Sequence, residues 1–110
     1  MPRPTFPLVL AAALAASLAA PAFADDLHLT IRDHRFDPPR LEVPAGQKFK
    51  LIVKNADPTA EEFESFDLHR EKVVTAGGEI PVFLGPLDKG EYKFFGDYHQ
   101  DTAQGVLVAK

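Results

Sequence analysis

From residue 25 onward, hydrophobic and polar residues alternate with a period of two over much of the chain. Leu27, Leu29 and Ile31 share one parity, and His28, Thr30 and Arg32 take the other. Leu41 and Val43 alternate with Arg40 and Glu42, and Phe49, Leu51 and Val53 with Lys48, Lys50, Ile52 and Lys54. Ile80, Val82 and Leu84 form a further set, as do Tyr92 and Phe94, and Val106 and Val108 close the chain. Successive side chains of an extended chain point to opposite faces, so this period predicts strands with one face buried. Turn formers separate the sets: Pro38-Pro39, Pro44-Ala45-Gly46, the stretch from Asn55 to Pro58, Gly77-Gly78, and Gly85-Pro86 to Gly90. The rhythm of strand and turn signals predicts an all-β sandwich of about seven to eight short strands. Residues 59–72 read two ways. Thr59 to Glu62 suit the opening of a helical turn, while Phe63 to Leu68 reads better as a strand. No long helix is expected.

The first 24 residues follow another pattern. Arg3 precedes an apolar run from Phe6 to Ala20 that only Pro7 and Ser17 interrupt, and Ala22-Phe23-Ala24 supplies a small-x-small site. These are the marks of a secretory signal peptide cut before Asp25. The run is short for a bilayer span, which takes roughly 20 residues. The expected organisation is a leader over 1–24 and one domain over 25–110, exported to the periplasm, with no stable membrane insertion after cleavage. The formal net charge is −4, and loss of Arg3 with the leader takes it to −5. An acidic balance disfavours nucleic acid and anionic membrane as partners. There is no cysteine, so neither a disulfide nor a thiolate ligand is available.

Strand parity singles out one acidic residue. Within Phe63–Leu68, Glu64 shares a side with Phe66 and Leu68, and a carboxylate on an apolar side is costly unless it is paired or bound to metal. Ser65, Asp67 and His69 then point the other way. Glu64 is either a ligand or a solvated carboxylate at the strand's open end, and His99 is either a ligand or a loop histidine. Asp97 either ligates or caps a turn. Glu62 and Gln104 are candidates whose plainer reading is a solvated surface. His28 and His34, on exposed parity or at a turn, are expected to be solvated. No Ser-His-Asp or Cys-His arrangement and no phosphate-binding glycine loop stands out, which argues against hydrolase and nucleotide-binding roles.

The segment Tyr92-Lys93-Phe94-Phe95-Gly96-Asp97-Tyr98-His99-Gln100, followed by Gly105-Val106-Leu107-Val108, resembles the C-terminal end of the cupredoxins. Phe36-Asp37-Pro38-Pro39-Arg40-Leu41-Glu42-Val43-Pro44-Ala45-Gly46 resembles their opening strand and turn, and Phe49 to Asn55 the strand that follows. The resemblance implies a Greek-key β-sandwich. It sets Gly96 at the cysteine ligand's position, His99 at the loop histidine, Gln104 near the axial position and Glu64 at the first histidine. A type 1 copper site needs a cysteine thiolate, two histidines and a weak axial ligand, so the resemblance does not extend to blue-copper electron transfer. The remaining carboxylate and imidazole set suits Fe, Cu(II), Mn or Zn, and copper or iron is the ion the resemblance implies.

Within that family the chain is most similar to the EfeO-type cupredoxin-like domain and its stand-alone periplasmic relatives. The likeness runs through Glu62-Phe63-Glu64-Ser65, Arg70-Glu71-Lys72, Gly85-Pro86-Leu87, Gly96-Asp97-Tyr98-His99 and Thr102-Ala103-Gln104-Gly105. Some such domains carry cysteine where this chain has Phe36 and Gly96. The similarity implies an accessory of ferrous-iron uptake, acting beside an iron permease and a periplasmic iron-binding protein. It implies a copper or iron ion, for which the candidate ligands are Glu64, His99, Asp97, Glu62 and Gln104, and a docked Fe²⁺ would be attracted by Glu62, Asp97 and Asp101. As an enzyme the protein would be a ferroxidase-type oxidoreductase. The alternatives are a metal carrier without turnover and a metal-free scaffold that binds a permease.

Overall fold

The computed structural model describes residues 1–5 and 23–110. The apolar run assigned to the leader lies outside the described residues. Nine strands follow in order: β1 (Leu27–Arg32), β2 (Arg35–Asp37), β3 (Arg40–Val43), β4 (Phe49–Asn55), β5 (Glu61–Ser65), β6 (Arg70–Val74), β7 (Glu79–Leu84), β8 (Gly90–Gly96) and β9 (Gln104–Ala109). One turn of 3-10 helix, Asp97–His99, leaves the end of β8.

The strands form two sheets, ordered β2-β1-β4-β7 and β3-β9-β8-β5-β6. β1 runs parallel to β4, and β3 parallel to β9, while the other pairs are antiparallel. The alternating apolar sets supply the contact between the sheets. Leu29, Ile31, Leu51 and Val53 of the first sheet are buried with Phe63, Phe94 and Leu107 of the second. Phe36 meets Phe63 and Phe94 edge-on, with ring centroids 6.3 and 5.0 Å apart, a favourable arrangement for aromatic quadrupoles.

Two of the nine strands bury a single residue each. β2 is three residues long with Phe36 alone buried, and β6 is an edge strand that buries only Val74 at its end. In β9 the core cluster takes Leu107 and Ala109, so the inward parity is theirs and not that of Val106 and Val108.

The largest departure from the sequence expectation is in β5. The strand opens at Glu61 and stops at Ser65, with Glu61, Phe63 and Ser65 inward and Glu62 and Glu64 outward. The chain then turns through 66–69 before β6. Ser65 drives this turn: its hydroxyl donates to the Lys93 carbonyl at 2.5 Å and accepts the Leu68 N–H at 3.0 Å. Leu68 is buried by the turn, while Phe66 is 72% exposed. Counting parity through Leu68 therefore carries it across a turn, and a one-residue slip moves every side chain to the opposite face. Glu64 faces away from the core.

Candidate functional site

At one end of the sandwich, the first residue of β5 meets the loop after β8. Glu61 is 1% exposed. Its Oε2 lies 2.5 Å from His99 Nδ1. Its Oε1 accepts the backbone N–H groups of Tyr98 at 2.9 Å and Glu62 at 3.0 Å. A buried carboxylate is tolerated when its oxygens are satisfied in this way. His99 closes the 3-10 turn, and its carbonyl accepts the N–H groups of Thr102 and Ala103, which holds the loop in place before β9.

The side chains of Glu61 and Ala103 leave no other room at this point. A Cβ on Gly96 would stand 2.6 Å from Glu61 Cδ, 2.9 Å from its Oε1 and 2.7 Å from Ala103 Cβ. Glycine is required there by close approach.

The ring of His34 stacks on that of His99, with centroids 3.5 Å apart and planes 11° from parallel. His34 lies in the β1–β2 turn, where it and Asp33 have positive φ of 57° and 51°, a conformation that Asp and His adopt more readily than most residues. The Asp57 carboxylate accepts the N–H groups of Asp33 at 2.7 Å and His34 at 3.0 Å. Burial alone would raise the Asp57 pKa, but those two N–H donors, with the nearby His34 and His99, together outweigh it and hold the pKa below its ordinary value. The Thr102 hydroxyl fixes the other side of the turn by donating to the His34 carbonyl at 2.5 Å.

A second group lies on the outward face of β5. Oxygens of Glu62, Glu64 and Asp97 lie within 4.8 Å of one another. Glu71 on β6 sits opposite Glu64 in the strand register. The Glu62 pKa is pushed up to about 7, first by burial, then by the charge and hydrogen bonding of Glu71, and further by Glu64 and Asp97. None of the ion pairs among the described residues includes these carboxylates.

The five expected site residues therefore separate. Glu62, Glu64 and Asp97 come together outside the sheet. His99 pairs inside with Glu61, so Glu64 does not occupy the place expected beside the imidazole. Gln104 leaves the site altogether. Its amide donates to the Gln100 carbonyl at 3.0 Å, and it lines an exposed groove with Phe66 and Phe95. His34 is no bystander, as its stack on His99 shows. Glu61, His34 and Asp57 are the residues that sequence reasoning missed. Alternation counted backward from Phe63 would have found Glu61, but no local pattern marks the His34 stack.

The chain matches the model of the cupredoxin-like domain over residues 5–109. It is 53% identical over 83 residues to an uncharacterized protein of Rickettsia prowazekii, covering 76% of this chain and 66% of that protein. Among solved structures it is similar to auracyanin A, a "blue" copper protein of Chloroflexus aurantiacus, with a TM-score of 0.68, 15% identity and coverage of 79% and 100% of the two chains. It is also similar to a purple cupredoxin from Nitrosopumilus maritimus, with a TM-score of 0.62, 17% identity and coverage of 77% and 100%. At these identities the likeness to the solved structures is one of fold.

Proposed function

The chain belongs to the cupredoxin-like domain family, and from that premise we propose that it is an exported metal-binding accessory that carries a hard cation, iron foremost, without a thiolate. The observation that carries this reading is the convergence of Glu62, Glu64 and Asp97 within 4.8 Å on one outward surface. Carboxylate oxygens suit hard divalent and trivalent ions, whereas Cu(I) favours thiolate and thioether. The upward shift of Glu62 supports it: negative charge is crowded there, and a cation relieves it. Similarity to the EfeO-type domains supports iron as the cargo and an iron permease and a periplasmic iron-binding protein as partners, and the leader pattern supports export.

Transport without turnover fits the donor set better than a ferroxidase does. Oxidising Fe²⁺ needs an acceptor for one electron, and a chain with no cysteine cannot build the thiolate–copper relay. Glu62, Glu64 and Asp97 lie at a surface beside the Asp97–His99 turn, where an ion can enter and leave.

Anaerobic calorimetric titration of the purified protein with Fe²⁺, and with Mn²⁺ as a redox-inert probe, should give close to one equivalent bound. The triple variant Glu62→Gln, Glu64→Gln, Asp97→Asn should weaken binding by about tenfold or more, each tenfold being about 1.4 kcal/mol. Equal affinity in wild type and variant would remove the assignment. Aerobic oxidation of Fe²⁺ in large excess over the protein should run no faster than in buffer, since only the bound equivalent feels the carboxylates.

A further inference from the structure

The copper chemistry of this family asks for two imidazoles and a thiolate converging on one ion. The residues here do not fit it. Gly96, the last residue of β8, is the residue that the cupredoxin resemblance sets at the thiolate's position. A side chain there has no room, because the Glu61 carboxyl already fills the space its Cβ would need. The imidazole nitrogen that faces the interior, His99 Nδ1, is hydrogen-bonded to Glu61 Oε2. Glu61 Oε1 is occupied by two backbone N–H groups. No buried side-chain nitrogen or oxygen among the described residues lacks a partner.

We infer that the Glu61 carboxylate takes the structural place of the metal and thiolate in this chain. It ties β5 to the 97–103 loop through two hydrogen bonds, from the Tyr98 N–H and the His99 imidazole, and a third, from the Glu62 N–H, fixes the carboxylate on its own strand, so this end of the sandwich closes without an inner ion. His34 completes the closure by covering one face of the His99 ring. The inner position is thus a structural crosslink, made by a hydrogen-bonded carboxylate and imidazole. This inference is independent of cation binding by Glu62, Glu64 and Asp97, which concerns the outward face.

The test uses the chelator-treated protein carrying Glu62→Gln, Glu64→Gln and Asp97→Asn, so that outward binding does not contribute, with the wild type in parallel. The stripped protein should remain folded, with a His99 Nδ1 proton visible by nitrogen-15 NMR. One equivalent of Zn²⁺ or Cu²⁺ should leave the melting temperature unchanged, and Zn²⁺ should leave that proton signal unchanged. Glu61→Gln should lower the melting temperature by roughly 10 °C or more, because a buried partner is removed, and neither ion should restore it. If Glu61→Gln does not fold, the crosslink is essential, as inferred. The idea is overturned if Zn²⁺ abolishes the Nδ1 proton signal and raises the melting temperature of the stripped protein. It is equally overturned if Glu61→Gln melts like its parent.

Discussion

Asn55 is fully buried, and its amide ties together three stretches of backbone. Nδ2 donates to the carbonyls of Thr59 at 2.8 Å and Val74 at 3.1 Å, and Oδ1 accepts the Asp57 N–H at 3.0 Å. Asp57, so held, accepts the N–H groups of the β1–β2 turn, and the turn lays His34 on His99. A side chain at the end of β4 thus positions a ring it does not touch. Asn55→Ala leaves buried backbone groups without partners, at about 1–3 kcal/mol for such a group. Denaturant unfolding should show a loss of about 2–4 kcal/mol, with a change in the His99 ring shifts as the stack loosens. A loss below about 0.5 kcal/mol would refute this role, since that is the size of an ordinary surface substitution. The lowered Asp57 pKa adds a pH dependence. Its contribution to stability is complete above the unfolded value of 3.8 and is lost as pH falls through the lower folded value.

β5 divides the site by alternation: Glu61 goes inward to His99, and Glu62 and Glu64 go outward toward Asp97. Its edge neighbour β6 lines up Glu71 opposite Glu64, and like charges across a strand pair are unfavourable. An edge strand built this way also resists pairing with another sheet. The acidic character of this edge is therefore a property of two paired strands. Glu71→Gln removes the charge that, after burial, does most to raise Glu62. The Glu62 titration should then move from about 7 toward 4.5, as read by carboxyl carbon NMR. A midpoint still at 7 would mean that β6 contributes nothing to the raised value.

For the molecule, Glu62 couples folding to pH and, on the proposed reading, to cation binding. Its folded pKa lies above the unfolded value, so between about pH 4.5 and 7 the native state holds a proton that the unfolded chain releases. The stabilisation from this group is complete below 4.5 and is lost as pH rises through about 7. Melting temperature should fall over that window in metal-free protein, and Glu62→Gln should flatten the fall. A cation that binds the native carboxylates competes with the proton and stabilises by mass action. Added Mn²⁺ should therefore raise the melting temperature more at pH 7.5 than at pH 5. Thermal scans across pH with both proteins test this, and an equal slope in the variant would exclude Glu62 as its source.

The amino-acid order by itself determined the strand-rich architecture, because alternation is a local consequence of the extended backbone meeting one buried face. It also determined that no thiolate chemistry is available, and it held the carboxylates and the His99 loop that make up this end of the sandwich. Tertiary structure decided which carboxylate meets which partner. Alternation has a period but no absolute phase; pairing with β8 and the end of β5 at Ser65 set the phase that sends Glu61 inward and Glu64 outward. The apolar look of Phe66 and Leu68 misled because they sit in a turn, one exposed and the other buried. The stack of His34 on His99 joins two turns far apart in the chain, and only the folded sandwich brings them together.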